Sequence, residues 1–247
     1  MNKIEKRAMV LGNGPSLQKL IEFGLDNIPE DIVTVGLNAA YRFYQKEGWY
    51  PHYYGSFDSK VTPFHSENII KMLDDPSCRT EKFLTIGDFL DKPSWHHGYH
   101  PKVDARPNHK WFNPTWYLTN PKSKHTGMVS SGQNALKFLL QAGYTKIYLI
   151  GIDGYVTEKV QGAKVIPGGY TMADTPTSNP NYFMNDYQQK GDIFTPVNGS
   201  AHFVAWEEVK NNIIAAGKQD EISIINLNLQ SKVKTFPFST IEKELNI

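Results

Sequence analysis

The sequence predicts an α/β fold: a single Rossmann-like domain with a mainly parallel sheet and a long lid loop. Three observations predict it. Short apolar runs bounded by turn residues recur along the chain, helical patterns fall between them, and turns rich in small polar residues follow several runs directly. Strand and helix in alternation imply parallel pairing, and ligands of such sheets sit at the carboxyl ends of the strands.

The first run, Ala8 to Leu11, leads through Gly12-Asn13-Gly14-Pro15-Ser16 into a helical pattern at Leu17 to Phe23. Ile32 to Leu37 and His52 to Phe57 read as the next strands, followed by a helical pattern at Ser66 to Leu73 and a strand at Phe83 to Ile86. A helix over Gly132 to Ala142 precedes a strand over Lys146 to Ile152, and a helix over Val204 to Ala216 precedes a strand over Ile222 to Leu227. Several of these runs are apolar on both alternating positions, as strands buried on two faces require. Two stretches break the rhythm: residues 91 to 126, rich in Pro, His, Trp and Asn, and residues 156 to 201, rich in Gly, Pro, Thr, Asn and Tyr. Loops this long are uncommon in a compact domain unless they bind or cover something. The second therefore reads as a substrate lid, inserted at about 156–201 into one domain spanning 1–247.

With 247 residues and 40% hydrophobic residues, the chain can bury one good core. Its 26 Lys and Arg stand against 25 Asp and Glu, so no global field draws in nucleic acid, and an anionic ligand must be met locally. A single cysteine, Cys78, excludes an internal disulfide and a multi-cysteine zinc site. No apolar run approaches the ~20 residues that span a bilayer, and no signal-peptide pattern follows the first Met. The expectation is a cytoplasmic protein, at most peripheral at the inner membrane, with a homo-oligomer left open.

Four motifs carry chemistry. In Gly12-Asn13-Gly14-Pro15-Ser16, glycines let backbone N–H groups approach an anion and the helix start adds its positive dipole end, as in a phosphate cradle. A tight turn in which Asn13 satisfies its own backbone explains the same residues. Asn38, just past the strand ending at Leu37, offers a donor and an acceptor with which to read a base or ribose edge, or it caps a helix. Asp58, at the next strand end, either holds a ribose hydroxyl, an acceptor sugar or a cation, or caps a turn. In "GMVSSGQNALKFLLQAGYTKIYLIGIDGY", Ser130-Ser131-Gly132 opens an amphipathic helix and a strand then ends in Asp153-Gly154-Tyr155. Hydroxyls and a glycine at a helix start make a second anion or sugar site, and Tyr155 can donate to a leaving phosphate.

Beyond the lid, His202 stands at the start of a helix, where a near-neutral imidazole can take a proton from an attacking hydroxyl. His96, His97, His100 and His109 suggest a metal site, but Gly98 and Pro101 oppose a helix there and nothing completes a ligand set. That segment reads instead as a polar, aromatic loop touching an acceptor or a neighbouring subunit. No two aspartates stand two apart, so the Asp-x-Asp pattern that holds a cation in many sugar-nucleotide enzymes is absent from the chain.

Gly12-Asn13-Gly14-Pro15-Ser16-Leu17, Asn38, Ser130-Ser131-Gly132, Gly151-Ile152-Asp153-Gly154-Tyr155 and the late His202 together resemble the compact bacterial sialyltransferases of glycosyltransferase family 42, in order and approximate spacing. The first turn is also similar to that of the wider domain-of-unknown-function-115 group, which includes flagellin-modifying glycosyltransferase-like proteins and archaeal pterin diphosphokinases. The resemblance implies a GT-A-like variant of the Rossmann core and a metal-independent, inverting glycosyltransferase. Its donor would be a CMP-sugar, sialic acid or a related keto sugar, used as co-substrate with no cofactor, and its acceptor a glycan of lipooligosaccharide or polysaccharide type. Asn13 and Ser131 would touch the phosphate or donor sugar and Asn38 the nucleotide. Gly132 would let the donor lie against the helix start, Tyr155 would bond the departing phosphate, and His202 would be the general base.

The chain departs from that pattern in three places. Asp58 stands near a position where the family has asparagine, and a carboxylate there would repel a phosphate. The family's second tyrosine falls on Gln161, leaving Tyr170, Tyr182 or Tyr187 as substitutes. Lys232 to Ile247 mixes both charges where the family carries a basic membrane-touching segment. Two other readings remain: a pterin-type diphosphokinase using ATP and magnesium, and a non-catalytic nucleotide-binding module.

Overall fold

The computed structural model describes residues 5–57, 61–86, 109–112, 130–154, 160–167, 169–194 and 199–245. Seven parallel strands form the central sheet: β1 (Arg7–Leu11), β2 (Ile32–Leu37), β3 (Tyr53–Gly55), β4 (Lys82–Ile86), β5 (His109–Phe112), β6 (Lys146–Ile150) and, last in the chain, β10 (Ser223–Asn226). Their order across the sheet is β10-β6-β1-β2-β3-β4-β5. From β1 the chain winds outward in one direction to β5, then returns to the other side of β1 with β6 and β10. The reversal lies between β1 and β6, and in such sheets the crevice for a ligand opens there, outside the carboxyl ends of the strands.

The two faces of the sheet follow from strand alternation. In β1, Ala8 and Val10 point to one face and Met9 and Leu11 to the other; in β6, Ile147 and Leu149 oppose Tyr148 and Ile150. Helices α4 (Ser131–Gln141) and α5 (Gly199–Ala215) cover the first face, with Ala135, Leu136, Leu139, Trp206 and Val209 in the core. Helices α1 (Leu17–Phe23), α2 (Tyr41–Glu47), α3 (Val61–Asp74) and α6 (Ile241–Leu245) cover the second. Helices that serve the outward winding lie on one face and those that serve the return lie on the other, as right-handed crossovers demand. Each fully buried leucine contributes about 1.5–3 kcal/mol through the water it sheds.

The predicted fold class holds, with corrections to its parts. The helix over 41–47 and the short helix 241–245 were hidden by runs without clear apolar spacing. His109 to Phe112, expected within a loop, forms the edge strand β5, paired with Phe83 to Ile86. His96, His97 and His100 lie outside the described residues, as do Asp58 and Tyr155. The strand expected to run to Ile152 stops at Ile150, because Gly151 takes a φ of 71° and turns the chain. The expected lid carries structure of its own: β7 (Ala163–Ile166), β8 (Gly169–Met172) and β9 (Ile193–Phe194) form a three-stranded antiparallel sheet, with a turn-rich stretch at 173–192 between β8 and β9. No helix among the described residues is long and apolar enough to cross a membrane.

Candidate functional site

The turns leaving β1 and β6 meet in the crevice and are tied to each other. Gly12 N–H donates to Ile150 O at 2.8 Å, and Gly14 N–H to Gly151 O at 2.9 Å. A Cβ at Gly12 would lie 2.4 Å from Gly151 O, and one at Gly14 would lie 2.1 Å from Asp153 Oδ2. Both glycines are therefore required by the meeting of two protein loops. Ser16 donates to Asp153 Oδ2 through its N–H (3.2 Å) and its hydroxyl (3.0 Å), and its Oγ accepts from Gly151 N–H at 3.0 Å. Asn228 Nδ2, from the turn after β10, donates to Asp153 Oδ1 at 2.6 Å.

These bonds revise the phosphate cradle expected at residues 12–16. The group that sits at the start of α1 is the chain's own Asp153 carboxyl, and the N–H groups of Gly12, Gly14 and Ser16 are already spent. Gly12, Gly14, Ser16 and Asp153 form a knot joining the ends of β1, β6 and β10. Burial pushes the Asp153 carboxyl above its ordinary range, while the bonds from Ser16 and Asn228 and the charge of Lys19 pull it part of the way back.

A second cluster lies beside the knot, at the ends of β1 and β2 and the start of α4. Asn13 Nδ2 donates to Leu37 O at 3.3 Å and to the Tyr187 hydroxyl at 2.7 Å. The side chain thus spans from the first turn to the end of β2 and does not close on its own backbone. Asn13 Oδ1 is buried and has no hydrogen-bond partner among the described residues. Asn38 takes a φ of 54°, the left-handed region that few residues other than glycine enter. It does not cap a helix with its side chain. Instead, its amide grips Ser131: Nδ2 donates to Ser131 Oγ at 2.9 Å, and Oγ lies 3.1 Å from Oδ1. Residues 93 positions apart are thereby joined across the crevice. The Tyr54 hydroxyl donates to Asn38 O and accepts from Tyr41 N–H at 3.2 Å, which supports the unusual backbone from below.

Ser130 caps α4, its Oγ accepting from Gln133 N–H at 3.1 Å, so of the two serines only Ser131 turns toward Asn38. A Cβ at Gly132 would lie 2.8 Å from Ile152 Cδ1 and 3.4 Å from the Trp206 ring, so its smallness makes room for Ile152 in the turn after β6, with Trp206 of α5 in ordinary contact. Gln133 Nε2 donates to Ala205 O, from α4 to α5. His202 is half-buried in α5, one turn before Trp206, whose ring neighbours Gly132, and on the same stripe of the helix.

Tyr187 was one of three tyrosines left open by the sequence, and its hydroxyl reaches the cluster. It accepts from Asn13 Nδ2 and, at 3.3 Å, from Ala39 N–H. Tyr182 stacks on it with centroids 4.1 Å apart, whereas Tyr170 stacks on Phe194 within the small sheet. Burial first, and the neighbouring Tyr182 next, hold the Tyr187 hydroxyl well above the ordinary tyrosine range, so it stays protonated. Arg42 and Asp192, which fasten this segment, were missed by sequence reasoning: a single Arg in a short helix and an Asp in a polar loop carry no spacing signal. Among the described residues no group of three or more His, Cys, Asp or Glu is placed to hold a metal ion.

No protein-family profile matches the chain, and no curated protein sequence matches it. Solved structures do. The monofunctional alpha-2,3-sialyltransferase Cst-I from Campylobacter jejuni aligns over 97% of this chain and 82% of its own, at 17% identity and a TM-score of 0.60. The sialyltransferase CstII from Campylobacter jejuni, in complex with the substrate analogue CMP-3FNeuAc, aligns over 94% of this chain and 85% of its own, at 15% identity and a TM-score of 0.52. CstII in complex with a trisaccharide acceptor and CMP aligns over the same shares at 17% identity and a TM-score of 0.52. At these identities the likeness establishes a shared fold, an α/β core with a mainly parallel sheet, common to this chain and those sialyltransferases.

Proposed function

We propose that the chain is a glycosyltransferase that moves a sugar, sialic acid or a related keto sugar, from a CMP-activated donor to a hydroxyl of a glycan acceptor. The reading is carried by one observation: the left-handed Asn38 paired with Ser131 across the crevice at the reversal of strand order. That pair keeps an amide N–H and acceptor lone pairs beyond the ones it spends on itself, held rigidly where a nucleotide lies in this architecture. The fold shared with CMP-bound sialyltransferases supports the same reading.

In the proposed reaction, His202 takes the proton of the acceptor hydroxyl, whose oxygen bonds to the anomeric carbon as the bond from that carbon to the CMP phosphate oxygen breaks. The configuration inverts, and CMP departs with the bonding electrons. Its charge is met by neutral donors, Ser131, Asn38 and Tyr155, without a metal ion. Preorganised dipoles of this kind are effective because they need no reorientation as charge develops. Asn13 and Ser130 frame the donor side, and the insertion at about 156–201 frames the acceptor side of a single domain.

Thermal unfolding in the presence of CMP, UDP, GDP and ATP with magnesium tests the donor class, because a ligand that binds only the folded chain raises its Tm. CMP is expected to give the largest rise. His202→Ala is expected to keep that rise and to lose transfer from a CMP-sugar by about 10²–10⁴-fold, the usual worth of a positioned base. A rise with ATP and magnesium and none with CMP overturns the reading in favour of a diphosphokinase.

A further inference from the structure

The turn-rich stretch at 173–192 meets the rest of the molecule through α2 and the crevice. Arg42 in α2 donates to both carboxylate oxygens of Asp192, Nη1 to Oδ2 at 2.6 Å and Nη2 to Oδ1 at 2.9 Å, and Nη1 also donates to Tyr187 O at 2.7 Å. Both side chains are largely buried, at 14% and 7% exposure, so water screens the pair little. Burial alone would lower the guanidinium, and the bonds and charges of Asp192 and Tyr41 together outweigh it, so Arg42 stays charged. Asp192 Oδ2 also accepts from Gln189 N–H at 2.8 Å, which closes the turn on which Tyr187 is carried. Beside this pair the Phe183 ring stands edge-on to Phe43 of α2, with centroids 5.2 Å apart, and Phe183 N–H donates to Asn13 O at 3.1 Å.

We infer that Arg42 and Asp192 are positioning residues: their forked pair latches 173–192 across the crevice and so sets the Tyr187 hydroxyl against Asn13 and the Ala39 amide. With two donors received, that hydroxyl has its own proton left and gives it to no acceptor among the described residues; Asn13 Oδ1, on the amide that donates to it, is buried and lacks a donor. A donor and an acceptor side by side suit a ligand hydroxyl, which both accepts and gives a hydrogen bond. Because the wall is fixed beforehand, binding does not pay to order it. The role assigned to Tyr187 rests on the glycosyltransferase reading; the latch itself does not.

Hydrogen exchange followed by mass spectrometry on the full chain, without ligand, tests the latch. Arg42→Lys, which keeps the charge and loses the fork, and Asp192→Asn, which keeps the shape, are each expected to speed exchange across 182–188 by about tenfold or more and to leave β1 and β6 unchanged. Calorimetric titration with CMP tests the positioning: Arg42→Lys, Asp192→Asn and Tyr187→Phe should each weaken binding about tenfold, and Arg42→Lys combined with Tyr187→Phe should bind no more weakly than Tyr187→Phe alone. Unchanged exchange in both latch variants overturns the latch, and losses that add overturn its action through Tyr187. If the wild-type chain binds no CMP, the nucleotide reading fails, while the exchange result still decides the latch.

Discussion

The two faces of the sheet are built from different materials. Under α4 and α5 the core is mostly aliphatic, with Ala135, Leu136, Leu139, Ile147, Leu149 and Val209 in contact. Under α1 to α3 it is richer in aromatic rings, with Tyr41, Phe43, Tyr44, Tyr54, Phe83 and Tyr148 joined by Phe183 and Tyr187 from the stretch at 173–192. Aliphatic burial has no direction, so that face stabilises the fold without fixing any one atom. A buried tyrosine must also place its hydroxyl, and here the partners are the site's own backbone: Asn38 O and Tyr41 N–H for Tyr54, and Ala39 N–H for Tyr187. The aromatic face therefore positions the candidate site, and the aliphatic face holds it up.

The largest expected effect breaks an ionic contact beneath the aliphatic face. Lys137 Nζ, fully buried in α4, lies 3.6 Å from Glu208 Oε1 in α5. Glu208→Ala is expected to cost about 3–5 kcal/mol in urea denaturation, because a buried ammonium loses its carboxylate. Lys137→Met together with Glu208→Leu should recover most of that loss, since apolar residues of similar volume replace such pairs without penalty. The double variant should bind CMP like the wild type; a large loss of affinity would mean that the two faces cannot be separated as described.

A smaller change on the aromatic face should reach the site. Tyr54→Phe leaves Asn38 O and Tyr41 N–H without their buried partner, which costs about 1–3 kcal/mol. It should also weaken CMP binding, because the backbone support of Asn38 in its left-handed conformation is then lost. Leu136→Ala on the other face is expected to cost about 2–5 kcal/mol and to leave CMP binding unchanged. Equal effects of the two variants on affinity, measured by calorimetry, would erase the distinction.

What the sequence made legible follows the same division. Apolar runs locate β1, β2, β4, β6 and β10 to within a few residues, because strands buried on both faces need uninterrupted apolar residues. Helix α2 escaped notice because Tyr41, Phe43 and Tyr44 are aromatic residues of indifferent helix propensity, and they are buried for what they pack against. The turn after β1 was visible as glycine-rich, but whether its N–H groups faced a ligand or Asp153 depends on a contact 137 residues away. Asn38 and Ser131 were each readable as polar residues at element ends, and their pairing was not, since no local pattern encodes a bond between β2 and α4. The segment at 173–192 carries little periodicity because its order comes from Arg42, Asp192 and Tyr187, a few directional bonds in place of an apolar stripe.

The smallest effect belongs to Asp153, at the knot where the two faces meet. Its native carboxyl is raised above the ordinary 3.8 mainly by burial, so between 3.8 and the raised native value the folded chain holds a proton that the unfolded chain has released. The free energy of unfolding then falls as pH rises through that window: Asp153's contribution is fully present below the unfolded value and is lost as its native form ionises. Asp153→Asn cannot ionise and should lack this decline, although it loses a little stability overall because an amide cannot accept from both Ser16 and Asn228. Urea denaturation of both proteins in steps from about pH 3.5 to pH 7 reads the difference, since ΔG tracks the protons bound by each state. The gap between wild type and variant should narrow as pH rises. A gap that widens would mean that the Ser16 and Asn228 bonds outweigh burial, making Asp153 a stabilising anion at the start of α1.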